Sequence, residues 1–157
     1  MAQGFLAVKG IDFTETYAPT ARSVTVRMVL AMAAILNLDL RQFDVETAFL
    51  GAPLKEEIYM EAPYGLDGIP DGHVLRIKRS LYGLPQASRC FWHEMDSHLK
   101  NSGFSASDID PCLYYRIRKE DYTIIALIVD DMIVATNAKV GDILEIMERR
   151  FKMKNLG

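Results

Sequence analysis

The sequence predicts an α+β fold in which an antiparallel sheet is packed against helices. Segments with helical periodicity and segments with strand-like alternation follow one another without the regular βαβ order of a parallel sheet. Half of the residues are apolar and 25% are charged, which is the balance of a folded globular protein rather than a disordered one. The length of 157 residues fits one domain, or one compact part of a larger one.

The predicted elements begin with a helix over residues 24–38, where apolar residues recur at helical spacing after Ser23, a candidate N-cap. A strand over residues 38–45 follows and ends in an acidic segment. Residues 51–85 are rich in Gly and Pro and are therefore predicted to contain many turns. The remaining predictions are strands at 57–61, 73–78, 112–118, 123–129 and 132–136, and helices at 86–102 and 140–151. Gly103 is placed to end the first of these two helices.

The composition also limits the cellular setting that we expect. The longest apolar run, residues 124–129, is far shorter than the ~20 residues of a membrane-spanning helix. We also expect no secretory leader, because residues 1–10 lack a basic start followed by an apolar stretch. Two cysteines do not make a disulfide scaffold, so we expect a reducing, cytoplasmic compartment and no secretion. A net charge of −3 gives no global reason to expect nucleic acid, which must be argued from a local patch. Both ends look cut, so we expect an excised piece.

The most informative segment is an acidic pair between two apolar runs, residues 124–129 and 132–135. Only Asp130 and Asp131 separate these runs, which predicts a tight hairpin with both acids at its tip. Asp-Asp is also ordinary turn chemistry. Here the apolar flanks bring the tip close to the core, where two carboxylates would repel each other unless a cation neutralised them. Hard oxygen ligands would select Mg²⁺ or Mn²⁺.

Asp44 is the best candidate for a third carboxylate at that site. Strand alternation places Phe43 and Val45 on one face of their strand and Asp44 on the other. If this strand pairs beside the hairpin, Asp44, Asp130 and Asp131 converge. Three carboxylates around two metal ions would suit phosphoryl transfer, in which one ion activates an attacking hydroxyl and the other steadies the leaving oxygen.

A basic window and one aromatic residue are candidate contacts for a nucleotide. Residues 73–93 contain no acid. Their basic side chains are Arg76, Lys78, Arg79 and Arg89. These charges would suit phosphates, or would equally well mark a solvated strand edge. Gln86, at a turn that enters a helix, could contact a base or a sugar. Phe49 could lie under a nucleotide sugar and exclude a 2′-hydroxyl, although ordinary core packing explains it as well.

Six blocks of the sequence resemble, in order, signatures of the reverse transcriptase of copia-type LTR retrotransposons. They are GIDFTETYAPTAR at 10–22, QFDVETAFL at 42–50, EEIYMEAP at 56–63, SLYGLPQA at 80–87, DPCLY at 110–114 and VDDM at 129–132. The resemblance covers essentially the whole chain. So many blocks in the right order make it highly specific.

The resemblance implies a polymerase palm with part of the fingers, as one domain over residues 1–157. It implies RNA- and DNA-templated synthesis of DNA with Mg²⁺, or Mn²⁺ in its place, as cofactor. The implied partners are an RNA or DNA template-primer, deoxynucleotides, and the other parts of a Pol polyprotein, such as RNase H and integrase. The implied location is a cytoplasmic virus-like particle. No membrane partner is expected.

The resemblance also implies roles for individual positions. The catalytic, metal-binding residues would be Asp44, Asp130 and Asp131. The nucleotide-binding residues would be Val45, Phe49 and Gln86, with Phe49 as the gate that favours deoxynucleotides.

The sequence departs from the family in ways that leave alternatives open. Ile128 stands where the family usually has Tyr, and the family's basic fingers strand, primer-gripping segment and thumb are missing. We therefore expect this piece alone to be inactive or weak. One alternative is a degenerate, inactive remnant or binding module. Another is a phospho-receiver-like signalling domain, although only 26 residues follow Asp131 and a strand rather than a helix comes next.

Overall fold

The structure is a computed structural model that describes residues 2–70 and 72–157. Its helices are the 3₁₀ turn Gly4–Leu6 and the α-helices α1 (Ser23–Ile35), α2 (Ala48–Gly51), α3 (Ala87–Asn101) and α4 (Val140–Glu148). Its strands are β1 (Asp39–Glu46), β2 (Pro53–Glu61), β3 (Val74–Arg79), β4 (Ser105–Ala106), β5 (Leu113–Arg118), β6 (Asp121–Ile128), β7 (Asp131–Thr136) and β8 (Lys152–Asn155). Most predicted elements are present with shifted ends.

Six strands form the main sheet in the order β4-β5-β6-β7-β1-β8, and β2 pairs with β3 in a separate sheet. Every pair of neighbouring strands is antiparallel. The α+β prediction is therefore confirmed. A phospho-receiver-like domain requires a doubly wound parallel sheet, so the fold excludes that alternative.

The main core lies between this sheet and helices α1, α3 and α4. Its largest fully buried side chains include Val29 of α1, Phe91 of α3 and Met147 of α4. On β1, Phe43 and Val45 are 1% and 2% exposed, so both belong to this core. A smaller cluster under β2 and β3 contains Ile58, Ile77, Leu84 and Ala87. Within the described residues, no helix is both long and apolar enough to cross a membrane.

The last predicted helix, residues 140–151, is too long, because α4 ends at Glu148 and β8 follows it. Met147 and Phe151 are both buried and lie four residues apart, which fits a helix. Phe151 and the half-buried Met153 also alternate as in a strand, and the structure follows that period. Pairing with β1 decides in favour of the strand, since β8 covers the edge that β1 would otherwise leave open.

The prediction that Ser23 caps α1 is wrong. Ser23 is the first helical residue, and Arg22, which precedes it, makes no side-chain cap. Asp110, in the loop before β5, instead ties down the start of α1. Its Oδ2 accepts hydrogen bonds from Arg22 N at 3.0 Å and from Thr25 Oγ1 at 2.6 Å. Its Oδ1 accepts one from Cys112 N at 2.9 Å. Burial opposes ionisation of Asp110, but these hydrogen bonds outweigh it and hold its pKa below the usual value.

We expect Asp110→Asn to lower the free energy of unfolding by about 1–3 kcal/mol at pH 7, since charge-assisted hydrogen bonds to a buried group are lost. A carboxyl whose folded pKa is depressed stabilises the fold above its unfolded pKa of about 3.9, and this contribution is lost as the pH falls through the folded value. Urea unfolding of both proteins should show a difference that shrinks below about pH 4. Asp108→Asn, on an exposed residue, is the control; an equal effect of the two changes at pH 7 would contradict the expectation.

Candidate active site

Asp44 and Asp131 lie opposite each other on neighbouring strands. They are partners in the antiparallel register of β1 and β7. Side chains of directly opposed residues project from the same face of a sheet, with Cβ atoms about 4.5–5.5 Å apart. Because Phe43 and Val45 point into the core, Asp44 and Asp131 share the other face, where both are half-buried. The sheet thus brings together two acids that are distant in sequence.

Asp130 lies in the loop of the β6–β7 hairpin, next to this pair. Ile128 and Asp131 are paired across the hairpin, so the loop consists of Val129 and Asp130. The prediction that both acids form the tip is wrong by one residue. Val129 adopts a φ of 58°, a left-handed conformation that is costly for a β-branched side chain. This conformation lets Val129 start the turn and leaves Asp131 in the strand.

Backbone and side-chain hydrogen bonds hold the acids in place. Val45 N donates to Asp130 O at 3.0 Å, which fastens the hairpin loop to β1 directly after Asp44. Gln42 Nε2 donates to Asp131 Oδ1 at 3.2 Å from the same face of β1. Sequence reasoning missed Gln42, although its position two residues before Asp44 on the strand could have revealed it.

The chemistry of these acids fits a divalent cation, but their side chains do not converge on one point. In the described part of the chain, no basic side chain forms an ion pair with Asp44, Asp130 or Asp131. Carboxylate oxygens are the ligands that Mg²⁺ and Mn²⁺ prefer. However, across residues 2–70 and 72–157, no three acidic, His or Cys side chains converge as a metal-binding group. The donors are of the right type, and their side chains are not gathered around one point.

Phe49 lies on the short helix α2, which directly follows β1. Its half-buried ring contacts Tyr82 with ring centroids 4.7 Å apart, and Phe91 with centroids 6.2 Å apart. The residue before the helix, Thr47, has a φ of 54°. Phe49 therefore packs against both hydrophobic clusters and keeps part of its ring accessible near the end of β1.

The other two predicted nucleotide contacts face the interior. Val45 is a core residue, and Gln86 is only 1% exposed. Gln86 Nε2 donates to the carbonyl oxygen of Asp12 at 3.1 Å. Its Oε1 is buried and has no hydrogen-bond partner among the described residues. The sequence predicted that Gln86 could contact a base or a sugar, whereas in the structure its Nε2 is bonded to the segment around Asp12.

The basic window is divided between two elements. Arg76, Lys78 and Arg79 are exposed on β3, and Arg76 Nη1 lies 3.7 Å from Glu57 Oε1. Arg89 belongs to α3 and pairs with Glu15 at 2.7 Å, while it donates to the carbonyl oxygen of Tyr17 at 2.7 Å. Only the β3 residues lie along one strand, at the edge of a two-stranded sheet.

The two cysteines lie outside this site. Cys112 is fully buried, and burial, with a smaller contribution from Asp110, raises the pKa of its thiol to about 12. Burial also raises the pKa of Cys90. A thiol with a raised pKa is a poor nucleophile and a poor metal ligand at neutral pH. The cysteines therefore fit a structural role.

Comparisons with known proteins identify the family. A family described as reverse transcriptase (RNA-dependent DNA polymerase) matches residues 1–157. The retrovirus-related Pol polyprotein from transposon TNT 1-94 of Nicotiana tabacum is 38% identical over 161 residues, covering 100% of this chain and 12% of the polyprotein. The retrovirus-related Pol polyprotein from transposon RE2 of Arabidopsis thaliana is 32% identical over 157 residues, covering 98% of this chain and 11% of the polyprotein.

A relative from yeast extends the match. The transposon Ty1-ER2 Gag-Pol polyprotein of Saccharomyces cerevisiae is 35% identical over 136 residues, covering 83% of this chain and 7% of the polyprotein. The chain therefore spans only 12% or less of the length of these three relatives. The family match extends over all of the chain, and the similar proteins are Pol polyproteins of copia-type transposons. The chain belongs to the reverse transcriptase (RNA-dependent DNA polymerase) family.

Proposed function

We propose that this chain is the palm and part of the fingers of a copia-type reverse transcriptase, as one domain over residues 1–157. The main sheet would be the palm, and the separate β2–β3 sheet would belong to the fingers. The observation that carries the proposal is the pairing of Asp44 with Asp131, with Asp130 in the adjoining loop. In the family this acidic set serves nucleotidyl transfer. The primer 3′-hydroxyl would attack the α-phosphorus of a deoxynucleotide, and pyrophosphate would leave.

Asp44, Asp130 and Asp131 would hold Mg²⁺, or Mn²⁺ in its place. When bound, the metal would lower the pKa of the primer hydroxyl and neutralise charge on the phosphates. To bind the metal, the three carboxylates would have to turn towards one place, and this would require the hairpin and β1 to stay in register. The hydrogen bond from Val45 N to Asp130 O supports that register, since it joins the two elements at the acids themselves.

The nucleotide would lie over α2 and the end of β1. Phe49 would face the sugar and exclude a 2′-hydroxyl, and its partly accessible ring beside β1 supports this role. Val45 would act through its backbone, since its side chain is in the core. Gln86 would lie below the nucleotide. Its Oε1, which has no hydrogen-bond partner among the described residues, would be available to accept a hydrogen bond. The exposed cations on β3, Arg76, Lys78 and Arg79, would contact phosphates, as would Arg89 on α3.

The partners would be an RNA or DNA template-primer, deoxynucleotides and the other Pol regions, including RNase H and integrase. The relatives are named as Pol or Gag-Pol polyproteins, which supports a place within a larger polyprotein. The setting would be a cytoplasmic virus-like particle. An inactive remnant remains the alternative, because Ile128 packs against the core where the family has Tyr.

Metal binding by the chain itself tests the proposal without requiring turnover. We expect Mn²⁺ to bind, as measured by electron paramagnetic resonance titration, and Asp44→Asn to weaken binding by about tenfold or more, since one charged ligand is lost. Asp67→Asn, on an exposed loop acid, is the matched control and should leave the affinity unchanged. No binding by the parent, or equal binding by the two variants, would contradict the site and favour the inactive remnant.

A further inference from the structure

The short helix α2 cannot hold its own position. It contains only four residues, Ala48–Gly51, and has no side-chain cap. A single helical turn is unstable in isolation because nucleation fixes several residues for one hydrogen bond. The residue that leads into it, Thr47, is in the left-handed region, which adds backbone cost. Contacts from elsewhere in the fold must therefore fix where the Phe49 ring lies.

Arg150 supplies such a contact from the junction of α4 and β8. Its Nη2 donates to the carbonyl oxygen of Gly51 at 2.9 Å, at the C-terminal end of α2. Its Nε donates to Glu94 Oε1, on α3, at 2.6 Å. The two side chains are only 35% and 25% exposed, so this ion pair is better shielded than a surface pair. The rigid fork of the guanidinium can make both contacts at once, which a lysine ammonium cannot match in geometry.

A chain of aromatic rings connects the same residues by a second route. The Arg150 guanidinium lies 5.5 Å from the ring centroid of Phe151. Phe151 contacts Phe91 at 5.8 Å, and Phe91 contacts Phe49 at 6.2 Å, both in edge-to-face geometry. Such ring pairs have preferred orientations. Arg150 thus contacts the terminal carbonyl of α2 directly. It also contacts Phe151, the first of the three rings that lead to Phe49.

We propose that Arg150, oriented by Glu94, is a positioning residue that sets the place of the Phe49 ring and thereby the sugar selectivity of the site. This inference rests on the proposed function, in which Phe49 is the sugar gate. Arg150 does not touch the nucleotide in this account. It fixes the end of α2, so that the Phe49 ring stays in place and excludes a 2′-hydroxyl. If α2 were more mobile, the ring could move aside and admit it.

The neighbouring residue provides a matched control. Arg149 pairs with Glu145 on the surface at 3.3 Å, and the two side chains are 68% and 72% exposed. Arg149→Gln removes the same charge at the adjacent position, from an arginine that makes no hydrogen bond or ion pair with α2 among the described residues. Three variants are informative. Arg150→Gln removes the guanidinium, and Arg150→Lys keeps the positive charge but not the geometry of the guanidinium. Glu94→Gln removes the carboxylate that pairs with Arg150.

Two measurements on the chain test the proposal. Amide hydrogen exchange at Leu50 and Ala52, whose amides donate to Thr47 O and Phe49 O, reports opening of α2. The ratio of dissociation constants for ATP and dATP, in the presence of Mg²⁺, reports sugar selectivity. We expect Arg150→Gln to speed exchange and to lower the preference for dATP by roughly three- to tenfold. Arg150→Lys and Glu94→Gln should lie between it and the parent. Arg149→Gln should match the parent in both measurements.

The outcomes separate this inference from the function on which it rests. Faster exchange with unchanged selectivity in all three variants would show that Arg150 is only structural and would overturn the inference. If the parent and Phe49→Ala show the same ATP-to-dATP ratio, or if the parent binds neither nucleotide, the gate itself fails and the inference fails with it. If Arg150→Gln does not fold, Arg150→Lys and Glu94→Gln decide the result by the same two measurements.

Discussion

Asp130→Asn is expected to abolish primer extension while the fold survives. The change removes a charged ligand from the proposed metal site but keeps the shape of the side chain. Transition-state stabilisation by a catalytic metal is worth several kcal/mol, so the rate should fall by roughly a thousandfold or more. The loop itself should persist, because the contact that fastens it to β1 uses the backbone carbonyl of Asp130 rather than its carboxylate.

This prediction needs a protein with all polymerase segments. We suggest grafting this chain into the tobacco TNT 1-94 Pol polyprotein. It would replace the polyprotein segment to which the whole of this chain aligns. Extension of a labelled primer with Mg²⁺ is compared for the parent graft, Asp130→Asn and Asp67→Asn. Thermal unfolding of the isolated chain should show equal midpoints for parent and variant within a few degrees. Equal extension by Asp130→Asn and the parent would refute the catalytic assignment.

Phe49→Ala is expected to have the second large effect, and it separates the two interpretations of this residue. As a gate, Phe49 would exclude a 2′-hydroxyl, so its loss should raise ribonucleotide use relative to deoxynucleotide use by about ten- to a hundredfold. As a packing residue, its loss should lower the free energy of unfolding by about 2 kcal/mol, since it is half-buried and contacts the rings of Tyr82 and Phe91.

Phe49→Leu distinguishes these effects because leucine keeps much of the buried volume but lacks the flat ring. In the same graft, incorporation of ATP and dATP opposite one template base gives the selectivity, and urea unfolding of the chain gives the stability. We expect Phe49→Leu to retain most of the stability and to lose part of the selectivity. Destabilisation of Phe49→Ala with unchanged sugar selectivity would leave Phe49 as a packing residue only.

Local patterns in the sequence were sufficient for the class of the fold and for the hairpin that carries Asp130 and Asp131. The alternation of Phe43, Asp44 and Val45 predicted which side chain would leave the core, and burial in the structure agrees. The apolar runs around Asp130 and Asp131 predicted a hairpin at that point, and one is present. These features depend on neighbours within a few residues, where the period of the backbone fixes side-chain direction.

The same local reasoning failed where a choice depended on distant partners. The turn after Ile128 begins one residue earlier than predicted, because the register of β7 against β1 places Asp131 in the strand. Residues 152–155 form a strand because the edge of β1 is available to them. Gln86 is covered by the segment around Asp12, which precedes it by 74 residues.

The sequence by itself determined the α+β class and, through its ordered signatures, the family, while the role of its acidic residues stays a prediction. Only the tertiary structure decided that Asp44 pairs with Asp131, that Asp110 binds Thr25 at the start of α1, and that Arg150 joins Glu94 and Gly51, which lie 56 and 99 residues away from it. The physical reason is that periodicity records which face of an element is apolar, whereas hydrogen bonds between elements depend on how those faces are packed together.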